Sequence, residues 1–91
     1  MSINAVFEAL AHPVRRKILR LLRAGPLSAG EIAGHFALAK PTLSSHFKKL
    51  KEAELVAVER RGTSLVYHLN PSILDDAVGV LTVLGEPEHD S

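Results

Sequence analysis

The chain has no cysteine among its 91 residues. That removes disulfides, thiolate catalysis and thiolate metal sites together. It also lacks any run near the roughly 20 apolar residues that a membrane span needs, and no basic segment at its start leads into an apolar stretch. A cytoplasmic protein without membrane insertion is the expectation. Missing too are a glycine-rich phosphate loop, a nucleophile elbow and an HExxH pattern. Ser44-Ser45-His46 sets hydroxyls beside an imidazole, but adjacent helical residues point in different directions and no third group orients the histidine. An enzyme is not expected. The five histidines, at positions 12, 35, 46, 68 and 89, show no ligand spacing, so neither a metal nor another cofactor is expected. There is no internal repeat and no low-complexity tract.

Basic residues are absent from one third of the chain. Residues 62–91 hold five acidic side chains and sum to −5, whereas residues 1–39 and 40–61 each sum to +3. The net charge of +1 hides this division. A basic body with an acidic end is an electrostatic footprint for a polyanion. The apolar content of 46% is too high for a disordered chain. A chain of this length makes one small domain with a limited core, so a partner subunit is in keeping with its size.

Periodicity divides the chain into helices, a hairpin and a last helix. Residues Ile3 to Ala11 form a first helix with Val6, Phe7 and Leu10 on one face. Pro13, preceded by His12, opens a second helix to about Ala24, since proline suits the first helical position. Its buried stripe is Val14, Ile18, Leu21 and Leu22, and its arginines and Lys17 fill the remaining face. Gly25-Pro26 ends it. Ser28 and Glu31 have capping-box spacing and start a third helix that ends near Phe36. Ala37-Leu38-Ala39 is a turn, and a fourth helix runs from about Pro41 to Ala53 with Leu43, Phe47 and Leu50 inward. Leu55 to Glu59 and Leu65 to Leu69 read as strands around a turn at residues 60–64. Asn70-Pro71-Ser72 leads into a helix from Ser72 to about Leu84, and residues 85–91 read as a flexible acidic tail. The expected fold is mainly α with a small β-hairpin, in α-α-α-α-β-β-α order. It is a single winged helix-turn-helix domain over residues 1–84.

In such a domain the second helix of the helix-turn-helix enters the DNA major groove. With Leu43 at the centre of the buried face and about 100° per residue, Pro41, Ser45, Lys48 and Glu52 fall opposite. Thr42 and Lys49 flank one edge, Lys40 and Ser44 the other. Small hydroxyl side chains let a helix approach base edges in a groove roughly 12 Å wide, and lysines hold phosphates. Thr42, Ser44, Ser45 and His46 are the candidate base contacts. His46 sits beside the core stripe, where it can touch DNA or lock the helix against its neighbour. Lys40, Lys48, Lys49, Arg60 and Arg61 are the candidate phosphate contacts, the two arginines at the hairpin tip.

The run Lys40-Pro41-Thr42-Leu43-Ser44-Ser45-His46-Phe47-Lys48-Lys49-Leu50 resembles the recognition-helix signature of the ArsR family of bacterial winged-helix repressors. Ala11-His12-Pro13-Val14-Arg15-Arg16-Lys17-Ile18-Leu19 resembles that family's opening motif, with histidine where aspartate usually precedes the proline. Leu55-Val56, Arg61-Gly62 and Tyr67-His68-Leu69 are similar to its wing. Within the family the chain looks most like the short SdpR-like branch without metal-binding cysteines. The resemblance covers about residues 3–84. It implies a homodimer, repression at a palindromic operator of double-stranded DNA, and in several relatives control of their own operon. The family's Cys-x-Cys metal site has no counterpart in Glu31–Phe36. Its Asp–His site lacks histidines here, although Asp75 and Asp76 are present. The signal is left to a regulatory protein, a membrane-bound partner, control of abundance or a small molecule at the dimer interface.

The last helix carries too many apolar residues for a lightly covered surface helix. Ile73, Leu74, Ala77, Val78, Leu81 and Leu84, with Val6, Phe7 and Leu10 of the first helix, are the expected dimer interface. Burial of this stripe against the second helix of the same chain is the alternative. The rival function is a winged-helix protein-interaction module without sequence-specific DNA binding, which calls for an exposed apolar groove and little positive charge on the fourth helix. An RNA-binding winged helix is a third reading.

Overall fold

Each helix start in this chain has its own chemical reason. The computed structural model describes residues 2–85. Helix α1 (Ile3–Leu10) begins where the Ser2 hydroxyl accepts from the Ala5 N–H. Helix α2 (Pro13–Leu22) begins with proline at its first position, and the His12 Nδ1 accepts from the Val14 N–H at 3.1 Å. Strand β1 (Leu27–Ser28) runs directly into α3 (Ala29–Ala33). There the expected capping box is complete, with Ser28 Oγ accepting from the Glu31 N–H and Glu31 accepting from the Ser28 N–H. Helix α4 (Lys40–Glu52), strands β2 (Val56–Arg61) and β3 (Ser64–Leu69), and helix α5 (Pro71–Gly85) complete the order.

The strands form one antiparallel sheet in the order β1-β3-β2. Val56 pairs with Leu69 and Arg61 with Ser64, leaving Gly62-Thr63 as a two-residue loop. Gly62 has φ +62° and is the first loop residue, which is the glycine position of a type II′ hairpin turn. The core is continuous: Val6 and Ala9 of α1, Ile18 and Leu22 of α2, Ile32 of α3, Leu43, Phe47 and Leu50 of α4, and Leu55, Val56 and Tyr67 around the hairpin. Tyr67 stacks on Phe47 with centroids 4.4 Å apart and planes 17° from parallel. Burial pushes the Tyr67 phenol above its ordinary pKa.

Several expectations need correction. A strand precedes α3, where Leu27 and Ser28 pair with Tyr67 and Val66. Helix α3 ends at Ala33 rather than near Phe36, because glycine follows and the chain tightens through turns such as His35 N–H to Ile32 C=O. The linker before α4 is accordingly longer than three residues. Helices α1 and α2 stop at Leu10 and Leu22, and α5 starts one residue early at Pro71 and includes Gly85. The rest of the expected tail, 86–91, lies outside the described residues. Arg60 and Arg61 belong to β2, since the two-residue loop lets pairing run to Arg61. On α2 the buried set is Arg15, Ile18, Leu19 and Leu22, with Val14 and Leu21 half-buried. Two expected interface residues are already used within the protomer: Val6 is fully buried and Ala77 nearly so. Phe7, Val78, Leu81 and Leu84 remain exposed, so the last helix does not fold its stripe back onto α2.

Helix α4 ends in a Schellman motif made without glycine. Leu55 N–H bonds the Leu50 carbonyl at 3.0 Å and Glu54 N–H bonds Lys51 at 2.9 Å. The pivot, Glu54, has φ +61°, a conformation that strains any L side chain. Glu54→Gly is therefore expected to stabilise the fold by about 0.5–1 kcal/mol, the relieved strain outweighing glycine's entropy cost. Leu50→Ala, in the same motif but fully buried, is expected to destabilise by about 2–5 kcal/mol. Urea denaturation read by circular dichroism checks both.

Candidate nucleic-acid interface

Helix α4 is packed inward, tied along one flank, grooved along the other and bare on its outer face. Its inward stripe, Leu43, Phe47 and Leu50, is buried. One flank faces α3 across a groove of about 270 Å3 lined by Ala29, Gly30, Ala33, Lys40, Leu43, Ser44 and Phe47. The other flank faces α1 and α2, where Lys49 pairs with Glu8 and His46 meets Arg15. Pro41, Ser45, Lys48 and Glu52 are exposed on the remaining face, as the helical spacing requires.

The sequence-derived contacts divide accordingly. Ser45 and Lys48 lie on the free face, while Thr42 and Ser44 are exposed at its two edges. Lys40 is exposed at the first position of α4 and borders the α3 groove. His46 is corrected: only 8% of its surface is accessible, because it lies on the inward side of the flank that packs on α2. It locks the helix, which was the other role open to it. Lys49 is half-buried and its ammonium is engaged by Glu8, so it is not a free cation in this arrangement. The same ion pair holds the Glu8 carboxyl below its usual pKa, chiefly through the hydrogen bond from Lys49.

The hairpin presents its two arginines on opposite faces. Arg60 pairs across from Leu65 and lies on the Val58–Tyr67 side of the sheet. Arg61 lies on the Glu59 side, and its Nε donates to Glu59 at 2.6 Å. That bond lowers the Glu59 pKa. Both arginines are exposed. Val58 and Leu65 continue the apolar side of the hairpin outward, at 37% and 40% exposure.

Sequence reasoning missed one residue near this site. Arg15 is 9% exposed, although it counts as polar surface by pattern. Its Nε donates to the Ala9 carbonyl at 2.7 Å, one terminal nitrogen donates to the Glu8 carbonyl at 2.9 Å, and the other lies 3.1 Å from His46 Nδ1. The only signal was its place beside Pro13 in the opening motif. The His12 ring lies 4.4 Å from the His46 ring, tilted by 50°. Burial above all, then the charges of His12 and Arg15, pulls the His46 pKa below its ordinary value.

A metal centre does not fit these residues. Glu31–Phe36 offers no thiol, and no group of three His, Cys, Asp or Glu suited to a metal ion occurs among the described residues. No helix among them is long and apolar enough to cross a membrane.

A helix-turn-helix domain family model matches residues 10–59 of this chain. The chain is 40% identical over 89 residues to the transcriptional repressor SdpR of Bacillus subtilis (strain 168), spanning 97% of this chain and 99% of that protein. It is 37% identical over 83 residues to an arsenical resistance operon repressor of Staphylococcus aureus, spanning 91% of this chain and 80% of that one. A crystal structure of an ArsR family transcriptional regulator superimposes with a TM-score of 0.85 at 26% identity, covering 90% of this chain and 84% of that one.

The Glu8–Lys49 pair makes a prediction. Glu8→Gln frees the lysine, so affinity for an unrelated DNA duplex at low salt is expected to rise about twofold with a steeper salt dependence. Fluorescence anisotropy across a salt series reads both. The fold should be unaffected, as the pair is exposed.

Proposed function

The chain belongs to the ArsR family of winged helix-turn-helix transcriptional repressors and is a DNA-binding repressor, not an enzyme; from that premise we propose that it acts as a homodimer on a palindromic operator in its own control region. The observation that carries this is the bare face of α4. It is small at its start, basic at Lys48, and tied to α1 and α2 along one flank by the Arg15–His46 and Glu8–Lys49 contacts. Ser45 is the central base contact, with Thr42 and Ser44 at the edges. Lys40, Lys48, Arg60 and Arg61 hold phosphates, and Lys49 joins them when released from Glu8. Two such helices, one per protomer, sit about 34–36 Å apart on successive major grooves.

The homodimer is supported by what the protomer leaves uncovered. Val78, Leu81, Val83 and Leu84 of α5 are 50% to 72% exposed, and Phe7 of α1 is 36% exposed. Ile73, Leu74 and Leu10 are half-buried and border them. Apolar exposure on this scale in a small chain calls for a partner. Repression is lifted by a regulatory protein, a membrane-bound partner or a small molecule, because the thiols of the family's cysteine site are missing. The interaction-module alternative is disfavoured by Lys48 on the bare face and Arg60 and Arg61 of the hairpin, all exposed.

Sedimentation is expected to give a dimer at micromolar concentration, and Leu81→Glu is expected to give a monomer with DNA affinity lowered at least tenfold. A clean wild-type monomer would rule the dimer out. In a gel shift with DNA upstream of the gene, Lys48→Ala or Arg60→Ala should weaken specific and unrelated duplexes alike, each flattening the salt slope by about one. Ser45→Ala should instead relax preference at one operator position, by about 1–3 kcal/mol. Zinc, cadmium, arsenite and chelators should leave the complex unchanged, and a stoichiometric metal effect would overturn that.

A further inference from the structure

The geometry points to Arg15 and His46 as the pair that fixes the tilt of α4 for DNA, with neutral His46 as the binding-competent form. This rests on the reading of α4 as the helix that enters DNA. Neither side chain reaches the bare face, since both are buried. Both are positioning residues that act through α4.

The argument starts from hydrogen-bond polarity. A guanidinium carries only donors at any accessible pH. Arg15 is 3.1 Å from His46 Nδ1, so that nitrogen accepts and the ring proton sits on Nε2. Two further Arg15 donors end on the carbonyls of Glu8 and Ala9. These belong to the last turn of α1, where the Glu8 carbonyl also accepts from the Ala11 N–H, and carry the negative end of the helix dipole. One buried cation thus joins α1, α2 and α4 at a point. The apolar stripe of α4 holds the helix against the core but is not directional. The hydrogen bond to His46 supplies the direction.

The tie is sensitive to one proton. Protonation at Nδ1 would set an N–H against the guanidinium N–H and place a second positive charge beside Arg15. The charged groups around His46 offer little compensation. From the turn before α2 comes His12, whose own Nδ1 is occupied by the Val14 N–H. From α1 comes Glu8, whose carboxylate is exposed and engaged by Lys49 of α4. Strand β2 begins with buried Val56, while its Glu59, Arg60 and Arg61 are exposed farther along. The lowered His46 pKa agrees with this arrangement. A histidine with a depressed folded pKa binds fewer protons folded than unfolded. Its contribution to stability is complete above the ordinary histidine value and is lost as pH falls from there through the folded value. In mild acid α4 is therefore expected to lose its tie to Arg15 while Leu43, Phe47 and Leu50 stay packed.

The test compares wild type with His46→Asn, whose amide oxygen replaces Nδ1 as acceptor but does not titrate. Anisotropy is measured from about pH 7.5 to about pH 5. The probes are a duplex selected by the wild type from a random pool and an unrelated duplex of equal length. The ratio of the two affinities is expected to fall steadily for wild type as pH drops through the folded His46 pKa. It should stay flat for His46→Asn, starting within about threefold of wild type. Arg15→Leu, verified as folded by circular dichroism, should show the lowered ratio at every pH. Nitrogen-15 NMR of the wild-type imidazole should show the Nε2–H tautomer, a readout that needs no DNA and no variant. Identical pH curves for wild type and His46→Asn, an unchanged ratio in folded Arg15→Leu, or an Nδ1–H tautomer would each overturn the inference. If no duplex is selected over the unrelated one at pH 7.5, the DNA reading fails first, and the NMR result still judges the Arg15–His46 bond.

Discussion

The attachment of α4 to the rest of the chain governs everything else in this fold. A helix that reads DNA must be bare on one face, so it forfeits the burial that ordinarily secures a helix in a small core. Leu43, Phe47 and Leu50 provide the inward contact, and Tyr67 stacks on Phe47 to tie the hairpin to the same stripe. The Schellman turn at Glu54 then sends the chain directly into Leu55 and β2. Tolerance of a non-glycine residue at φ +61° follows from this constraint. The turn is fixed from both sides by buried Leu50 and Leu55, so a strained pivot persists where a free helix end would relax.

The elements with strong periodicity were legible in the sequence, and so was the face of α4. Apolar residues at +4 and +3 from Leu43 define a stripe whose opposite side follows from helix geometry alone. The capping box at Ser28 was equally readable, because its two hydrogen bonds depend on residues three apart. What escaped was non-local. Strand β1 has two residues, too few for any alternation, and exists only because β3 offers an unpaired edge. Val6 and Ala77 carry the same apolar signal as Phe7 and Leu81, and pattern cannot say which is consumed by the protomer and which is left for a partner. Arg15 escaped for a sharper reason. Its burial depends on two α1 carbonyls and an imidazole 31 positions away converging on one guanidinium. No spacing rule anticipates that.

The most exposed apolar residues stand apart from the cations of α4 and the hairpin. Lys48, Arg60 and Arg61 belong to α4 and the hairpin, where Val58 and Leu65 are the exposed apolar neighbours of Arg60, whereas Val78, Leu81, Val83 and Leu84, at 50% to 72% exposure, belong to α5. Asp75 and Asp76 stand on α5 beside that apolar surface. This separation has a physical consequence for assembly. A nucleic acid is repelled from the acidic α5 and drawn to the basic hairpin and α4, so pairing of two chains through α5 leaves both DNA-facing surfaces open.

The same separation limits how a signal can reach DNA. Helix α5 touches the core through Ala77, with Ile73 and Leu74 half-buried, and its start is linked to the hairpin by the Asn70 N–H to Leu55 carbonyl bond at 2.9 Å. Leu55 is also the residue that closes the Schellman turn of α4. A shift of α5 in the proposed dimer would therefore reach the C-terminal end of α4 through this backbone junction and the shared core. The middle of α4 is held separately, at His46, by Arg15 and the last turn of α1. Helix α1 also contributes an exposed residue, Phe7, to the expected dimer surface. In the proposed dimer, the elements that hold α4 are thus also elements that would meet the second copy. In the proposed dimer a change in how α1 and α5 pack would reach α4 without a ligand bound beside it.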